Sequence, residues 1–118
     1  MITTTIEINR LRLRANHGVM SQERKIGNTF EVTAHLRCQA EGAVSSDDLS
    51  ATLNYAEAID TIKAVMAEPS QLLEHVAGRI RSTLTDRFPI ISGGRITVEK
   101  LTPPIPVEVE SVAVTIEW

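Results

Sequence analysis

The sequence position that says most about chemistry is Lys100. Ile96 and Val98 alternate with Arg95, Thr97 and Glu99, a strand pattern. The alternation carries Lys100 onto the face of the two apolar residues, just before the turn Pro103-Pro104-Ile105-Pro106. Removing an ammonium partly from water disfavours its charged form, which is how a lysine becomes a general base near neutral pH. The same parity fits a lysine whose stem packs on apolar neighbours while its amine reaches water. Glu74 falls in the first turn of an amphipathic segment, roughly 100° around from Leu73. A carboxylate beside free backbone N–H groups suits the amidine-like edge of a heterocycle, and equally suits a helix N-terminus on dipole grounds. Tyr55, the only tyrosine, directly follows Asn54 at the start of a helix, where it either packs or presents its hydroxyl to water. Glu23 ends the stretch His17-Gly18-Val19-Met20-Ser21-Gln22-Glu23, where a loop is expected between two strands and where most glutamates are simply solvated.

These residues need elements to hold them. Phe30, Val32, Ala34, Leu36, Cys38 and Ala40 alternate with polar residues, the pattern of a long half-buried strand. Before it, Ile6 and Ile8 share one parity and Leu11 and Leu13 the other, which predicts a first strand with a bulge near Asn9-Arg10. Asn54 is the expected cap of a first helix, with Glu57 completing a capping-box-like pair and Ile59, Ile62 and Met66 recurring before Pro69. Ser70 is the expected cap of a second helix carrying Leu73, Val76, Ala77, Ile80 and Leu84 on one stripe and stopping before Pro89. Ser92-Gly93-Gly94 reads as a turn, and Val112, Val114, Ile116 and Trp118 form the alternation of a last strand. The order is ββααββ: an α+β fold, an antiparallel sheet with a helix pair on one face.

The 118 residues predict one domain spanning 1–118, with no repeat or linker. An apolar content of 42% against 23% charged residues is that of a globular chain and excludes disorder. The net charge of −3 argues against a nucleic-acid or membrane-surface partner. Aromatic residues make up only 3%, too few large rings to wall a deep cavity within one subunit of this size. A lone cysteine, Cys38, and an N-terminal segment without secretory-signal character give a cytoplasmic expectation. His35 and Cys38 have opposite strand parity and cannot chelate together, so no metal site is expected. Phosphate-cradling glycine loops and a nucleophile elbow are absent from the sequence.

Taken in order and spacing, His17-Gly18-Val19 with Glu23, Gly27-Asn28-Thr29-Phe30, Asn54-Tyr55, Leu72-Leu73-Glu74-His75 and Lys100 before Pro103-Pro104-Ile105 closely resemble the dihydroneopterin aldolases of folate biosynthesis. The resemblance covers almost the whole chain and implies the tunnelling (T-fold) architecture. It also implies Glu74 as the carboxylate that holds the 2-amino and ring N–H edge of a pterin, helped by the backbone around Leu73, with Val19 and Leu53 at further pterin-contacting positions. Lys100 would deprotonate the side-chain hydroxyl of 7,8-dihydroneopterin, directly or through water, and retro-aldol cleavage would then release glycolaldehyde. Glu23 would bind the side-chain hydroxyls or the catalytic water, and Tyr55 would reach the substrate from a neighbouring subunit and help deliver a proton. The resemblance implies neither metal nor Schiff base nor any cofactor. It further implies a homo-oligomer, a tetrameric ring that stacks into an octamer with sites between subunits. Leu53 and Val107 stand where the family often has valine and glycine. Two alternatives remain at this stage: an epimerase of dihydroneopterin or its triphosphate, and a non-catalytic oligomeric binding module.

Overall fold

The strong alternation of the apolar residues is realised in one four-stranded antiparallel sheet, with order β1-β2-β3-β4. The computed structural model describes residues 2–118, so Met1 of the expected domain lies outside them. The strands are β1 (Thr4–Ala15), β2 (Asn28–Cys38), β3 (Ile91–Leu101) and β4 (Ser111–Glu117). Two longer helices, α3 (Tyr55–Met66) and α4 (Leu73–Arg87), pack together on one face of the sheet, α3 over β1 and α4 over β3 and β4. The ββααββ order is therefore present, with short helical inserts that have too few turns to show a periodic stripe. These are α1 (Ser21–Ile26), α2 (Glu41–Ser46) and a 3-10 turn at Leu49–Ala51.

Parity and stripe meet in the core. Phe30, Val32, Ala34, Leu36 and Cys38 of β2 and Ile96 and Val98 of β3 are buried against Ala58, Ile62 and Met66 of α3 and Val76, Ala77, Ile80 and Leu84 of α4. Burying each large aliphatic side chain contributes about 1.5–3 kcal/mol. The bulge lies where the parity change puts it: Ile8 pairs with Ala34 and Leu11 with Val32, so Asn9 and Arg10 stand opposite the single residue Thr33. Arg10 takes φ 57°, uncommon for a residue with a Cβ. Its N–H donates to Thr33 Oγ1 at 3.1 Å and its Nε to Glu31 Oε1 at 3.0 Å, which offsets that strain. Glu31 also receives Arg12 Nη2 at 2.7 Å, and these hydrogen bonds, that from Arg12 foremost, hold its carboxyl below the usual carboxylate range.

Four local expectations are corrected. β2 ends at Cys38, and Ala40 lies beyond it at the start of α2. Ser70 does not cap α4: the helix begins at Leu73 after Leu72, because both polar groups of Ser70 are bound elsewhere. Asn54 does cap α3, its Oδ1 accepting from Ala56 N–H at 3.0 Å rather than from the residue-57 N–H that a capping box uses.

The fourth correction concerns Ser92-Gly93-Gly94, which is not a turn but part of β3, where Gly93 pairs with Arg37 and Gly94 with Leu36. The glycines permit close approach of the C-terminus. Gly94 exchanges both backbone hydrogen bonds with Trp118 at 3.1 Å, and a Cβ there would sit 2.5 Å from His35 O and 3.0 Å from the Trp118 ring. Backbone cannot retreat as a flexible side chain can. Gly94→Ala is expected to lower stability by about 1–3 kcal/mol, the usual scale of overpacking, measured by urea denaturation. An unchanged midpoint would refute the close-approach account.

Candidate active site

The desolvated lysine expected from parity is present, and it has a partner. Lys100 pairs across the sheet with Phe30 and Val112 and is 8% exposed, its ammonium lying 5.9 Å from the centre of the Phe30 ring. Lys100 Nζ donates to Glu23 Oε2 at 2.7 Å, with the two side chains 11% and 15% exposed. Glu23 is therefore not a solvated loop residue. It sits in α1, and its other oxygen accepts from Met20 N–H at the start of that helix at 3.4 Å. One carboxylate thus caps a helix and neutralises a buried cation. Gly18 makes room for it: a Cβ there would lie 2.5 Å from Glu23 Cβ and 2.6 Å from Oε2. Arg24 Nη1 donates to the carbonyls of Gly18 (2.8 Å) and Val19 (2.7 Å), fixing the connection that delivers Glu23.

His17 is the residue whose contribution the sequence does not show. It is 1% exposed, packed edge-on against Phe30 with ring centroids 5.2 Å apart. Its Nδ1 accepts from Ser70 N–H at 3.0 Å, which puts the ring proton on Nε2, and Nε2 has no partner among the described residues. Burial first, then the positive charges of Arg79 and Lys100, lower its pKa to about 4, so the ring is neutral at pH 7. Ser70 O in turn accepts from Gly18 N–H at 3.0 Å. Ser70 Oγ accepts from Arg79 Nε at 3.0 Å and is also hydrogen-bonded to His75 Nδ1 at 2.8 Å. No sequence rule brings His17 and Ser70 together, because both lie in irregular stretches where periodicity is silent.

The other expected residues are placed apart from this pair. Tyr55 is the first residue of α3, 65% exposed, and lines a cleft of about 520 Å³ along edge strand β1 with Ile6, Ile8, Leu11 and Ile59. Leu53, just before it, is buried. Glu74 is exposed in the first turn of α4 and Leu73 is buried beside it. Glu74 borders an open groove of about 810 Å³ between α3 and α4, together with His75, Arg79 and Arg87. Val19 is 62% exposed in the turn before α1. Among the described residues, neither Tyr55 nor Glu74 forms a hydrogen bond or ion pair with Lys100 or Glu23. Cys38 is buried, and burial raises its thiol pKa, so it behaves as a small apolar side chain.

The FolB family model, described as dihydroneopterin aldolase, matches residues 6–117. The chain belongs to the dihydroneopterin aldolase family. The dihydroneopterin aldolase of Bacillus subtilis is 37% identical over 101 residues, covering 85% of this chain and 84% of that protein. That of Staphylococcus epidermidis is 32% identical over 112 residues, covering 94% and 93%. The crystal structure of the Escherichia coli dihydroneopterin aldolase in complex with neopterin superposes with a TM-score of 0.87 at 25% identity, covering 98% of each chain. The sheet and helix pair of this chain are thus those of the dihydroneopterin aldolases, as the resemblance implied.

In this member of the dihydroneopterin aldolase family the neutral His17 has a consequence for stability. Its folded pKa of about 4 lies below the ordinary 6.5, so between these values the unfolded chain binds the extra proton more readily. The contribution is complete above pH 6.5 and is lost as pH falls to 4, amounting to about 3 kcal/mol. Stability of the parent protein and of His17→Asn, measured by urea denaturation from pH 7 to pH 4, should differ in slope, the variant losing less. Parallel curves would show that His17 does not titrate in this way.

Proposed function

We propose that this chain binds 7,8-dihydroneopterin and cleaves it by a retro-aldol reaction to 6-hydroxymethyl-7,8-dihydropterin and glycolaldehyde, a step of tetrahydrofolate biosynthesis. The observation that carries this reading, in a chain of this family, is the buried Lys100–Glu23 pair. Glu74 accepts hydrogen bonds from the 2-amino group and ring N–H of the pterin, with the Leu73 backbone beside it and Val19 and Leu53 bordering the ring. The Lys100–Glu23 pair, directly or through a water, takes the proton of the 2′-hydroxyl. That oxygen's electron pair becomes the new carbonyl bond of glycolaldehyde as the C1′–C2′ bond breaks, and the released pair delocalises into the ring through C6 and N5. Tyr55 then helps return a proton to C1′. The neopterin held by the Escherichia coli relative supports a pterin as the ligand.

Tyr55 lies beside edge strand β1 and Lys100 on inner strand β3, with β2 between them, and we infer that a shared site takes a second copy of the chain. We place that copy edge to edge, β1 of one subunit against β4 of the next, in a tetrameric ring that stacks into an octamer. Three features support this. The radius of gyration, 15.6 Å, exceeds the roughly 13.5 Å of a compact domain of this length. Both edge strands are open in the single chain. Val107, Val109 and Val112 are exposed along and just before β4. The single cysteine supports the cytoplasm as the site of action; among the described residues no helix is long and apolar enough to cross a membrane.

The deciding experiment incubates the protein with 7,8-dihydroneopterin and separates the products. Glycolaldehyde and the hydroxymethyl pterin are expected in equal amounts; a 2′-epimer without glycolaldehyde would overturn the aldolase reading. The roles are separable by mutation. Lys100→Ala should retain pterin binding and lose at least a hundredfold in kcat, the lower end of what a positioned proton acceptor contributes. Glu74→Ala should weaken binding of 6-hydroxymethylpterin most, and unchanged affinity in a fluorescence titration would remove it as the anchor.

A further inference from the structure

The two halves of the proposed site are Glu23 with Lys100 on one side and Leu73 with Glu74 on the other, and among the described residues no hydrogen bond or ion pair joins Glu23 or Lys100 directly to Leu73 or Glu74. Ser70 joins them. Its N–H donates to His17 Nδ1 at 3.0 Å and its carbonyl accepts from Gly18 N–H at 3.0 Å. Among the described residues, these are the two hydrogen bonds that cross from the α3–α4 turn to the His17–Glu23 segment. From the clamp, one chain runs through Gly18 and Val19 to Glu23, and the other runs three and four residues to Leu73 and Glu74.

The turn itself is stiff. Arg79 Nη1 and Nη2 donate to the carbonyls of Val65 (3.1 Å) and Glu68 (2.7 Å), while its Nε donates to Ser70 Oγ (3.0 Å), and Ser70 Oγ is hydrogen-bonded to His75 Nδ1 (2.8 Å). The end of α3, the turn and the first turn of α4 are therefore tied together; the packing of α4 on β3 and β4 places them on the sheet, and the clamp ties them directly to the segment that carries Glu23. We propose that His17 is a positioning residue for pterin binding, holding the Leu73–Glu74 edge at a fixed distance from the Lys100–Glu23 pair through its acceptor Nδ1. The inference rests on the pterin-binding reading above. It also accounts for the choice of side chain. A buried ring that merely filled space beside Phe30 would be cheaper as a hydrocarbon, because His17 carries an Nε2–H with no partner. The value of an imidazole here lies in the one polar contact that it does make.

Three variants isolate that contact. His17→Asn keeps a carbonyl oxygen at the position of Nδ1; His17→Gln moves it one bond farther out; His17→Leu removes it. Binding of 6-hydroxymethylpterin is followed by fluorescence, turnover by glycolaldehyde release, and folding by thermal transition. His17→Gln and His17→Leu should raise Kd and KM at least tenfold, with kcat falling less, while His17→Asn should bind within about threefold of the parent. Should His17→Leu fail to fold, the Asn and Gln pair still decides, since they differ by one methylene. Equal affinity of folded Asn and Gln variants, or parental affinity in folded His17→Leu, would overturn the positioning role. Absence of pterin binding by the parent protein would instead overturn the reading of the pocket.

Discussion

A buried charge pair that joins residues 77 positions apart organises this molecule. Lys100 and Glu23 have each given up most of their hydration, a cost that mutual attraction barely returns unless the geometry is good and the remaining polar atoms find partners. The surroundings meet that condition. The second carboxylate oxygen takes a helix N-terminal N–H, the ammonium lies over an aromatic face, and Gly18 has no Cβ to push the carboxylate away. Such a pair is weak evidence for stability, since an apolar pair of equal volume would serve as well or better. Its presence at the end of a strand, where one side reaches solvent, makes sense if the charges are wanted for proton transfer.

How much of this was legible in the sequence depended on period. Lys100 could be placed because a strand alternates strictly, so Ile96 and Val98 fix the face of every second residue. The α4 stripe was legible for the corresponding reason: Leu73, Val76, Ala77, Ile80 and Leu84 are all buried. Glu23 was misread as a loop residue because α1 has six residues and none is buried, leaving no stripe to see. Ser70 was misread as a cap because serine's local preference for capping was overridden by the tertiary contacts of its amide and hydroxyl. Ser92-Gly93-Gly94 reads as a turn in the sequence because glycine marks chain reversal as readily as close backbone approach, and the approaching residue, Trp118, is distant in sequence.

The scarcity of aromatic residues has a structural counterpart. Of the four aromatic residues, Phe30 packs with His17 at one end of the core, Trp118 lies against Gly94 at the other end of β3, and Tyr55 lines the open cleft along β1. The residues that the family resemblance assigns to the substrate are accordingly distributed, Lys100 and Glu23 inside, Glu74 exposed on α4, Tyr55 exposed beside β1. An arrangement of this kind is complete only if another surface is brought to it, which is what the proposed ring would do.

The bulge in β1 then acquires a purpose beyond local geometry. Without the extra residue at Asn9-Arg10, Leu11 and Leu13 would turn to the polar face, and Arg12 and Arg14 to the core. With it, both halves of a twelve-residue strand present apolar side chains to the same side, and Ile6, Ile8 and Leu11 form one continuous wall of the cleft on which Tyr55 stands. The displaced arginine is absorbed by Glu31 on the opposite face, where Arg12 also binds. A single inserted residue, held by Thr33 and Glu31, thereby keeps the apolar side chains of the edge strand on one face along its length, on the cleft that Tyr55 also lines and where the neighbouring subunit of the proposed ring would meet it.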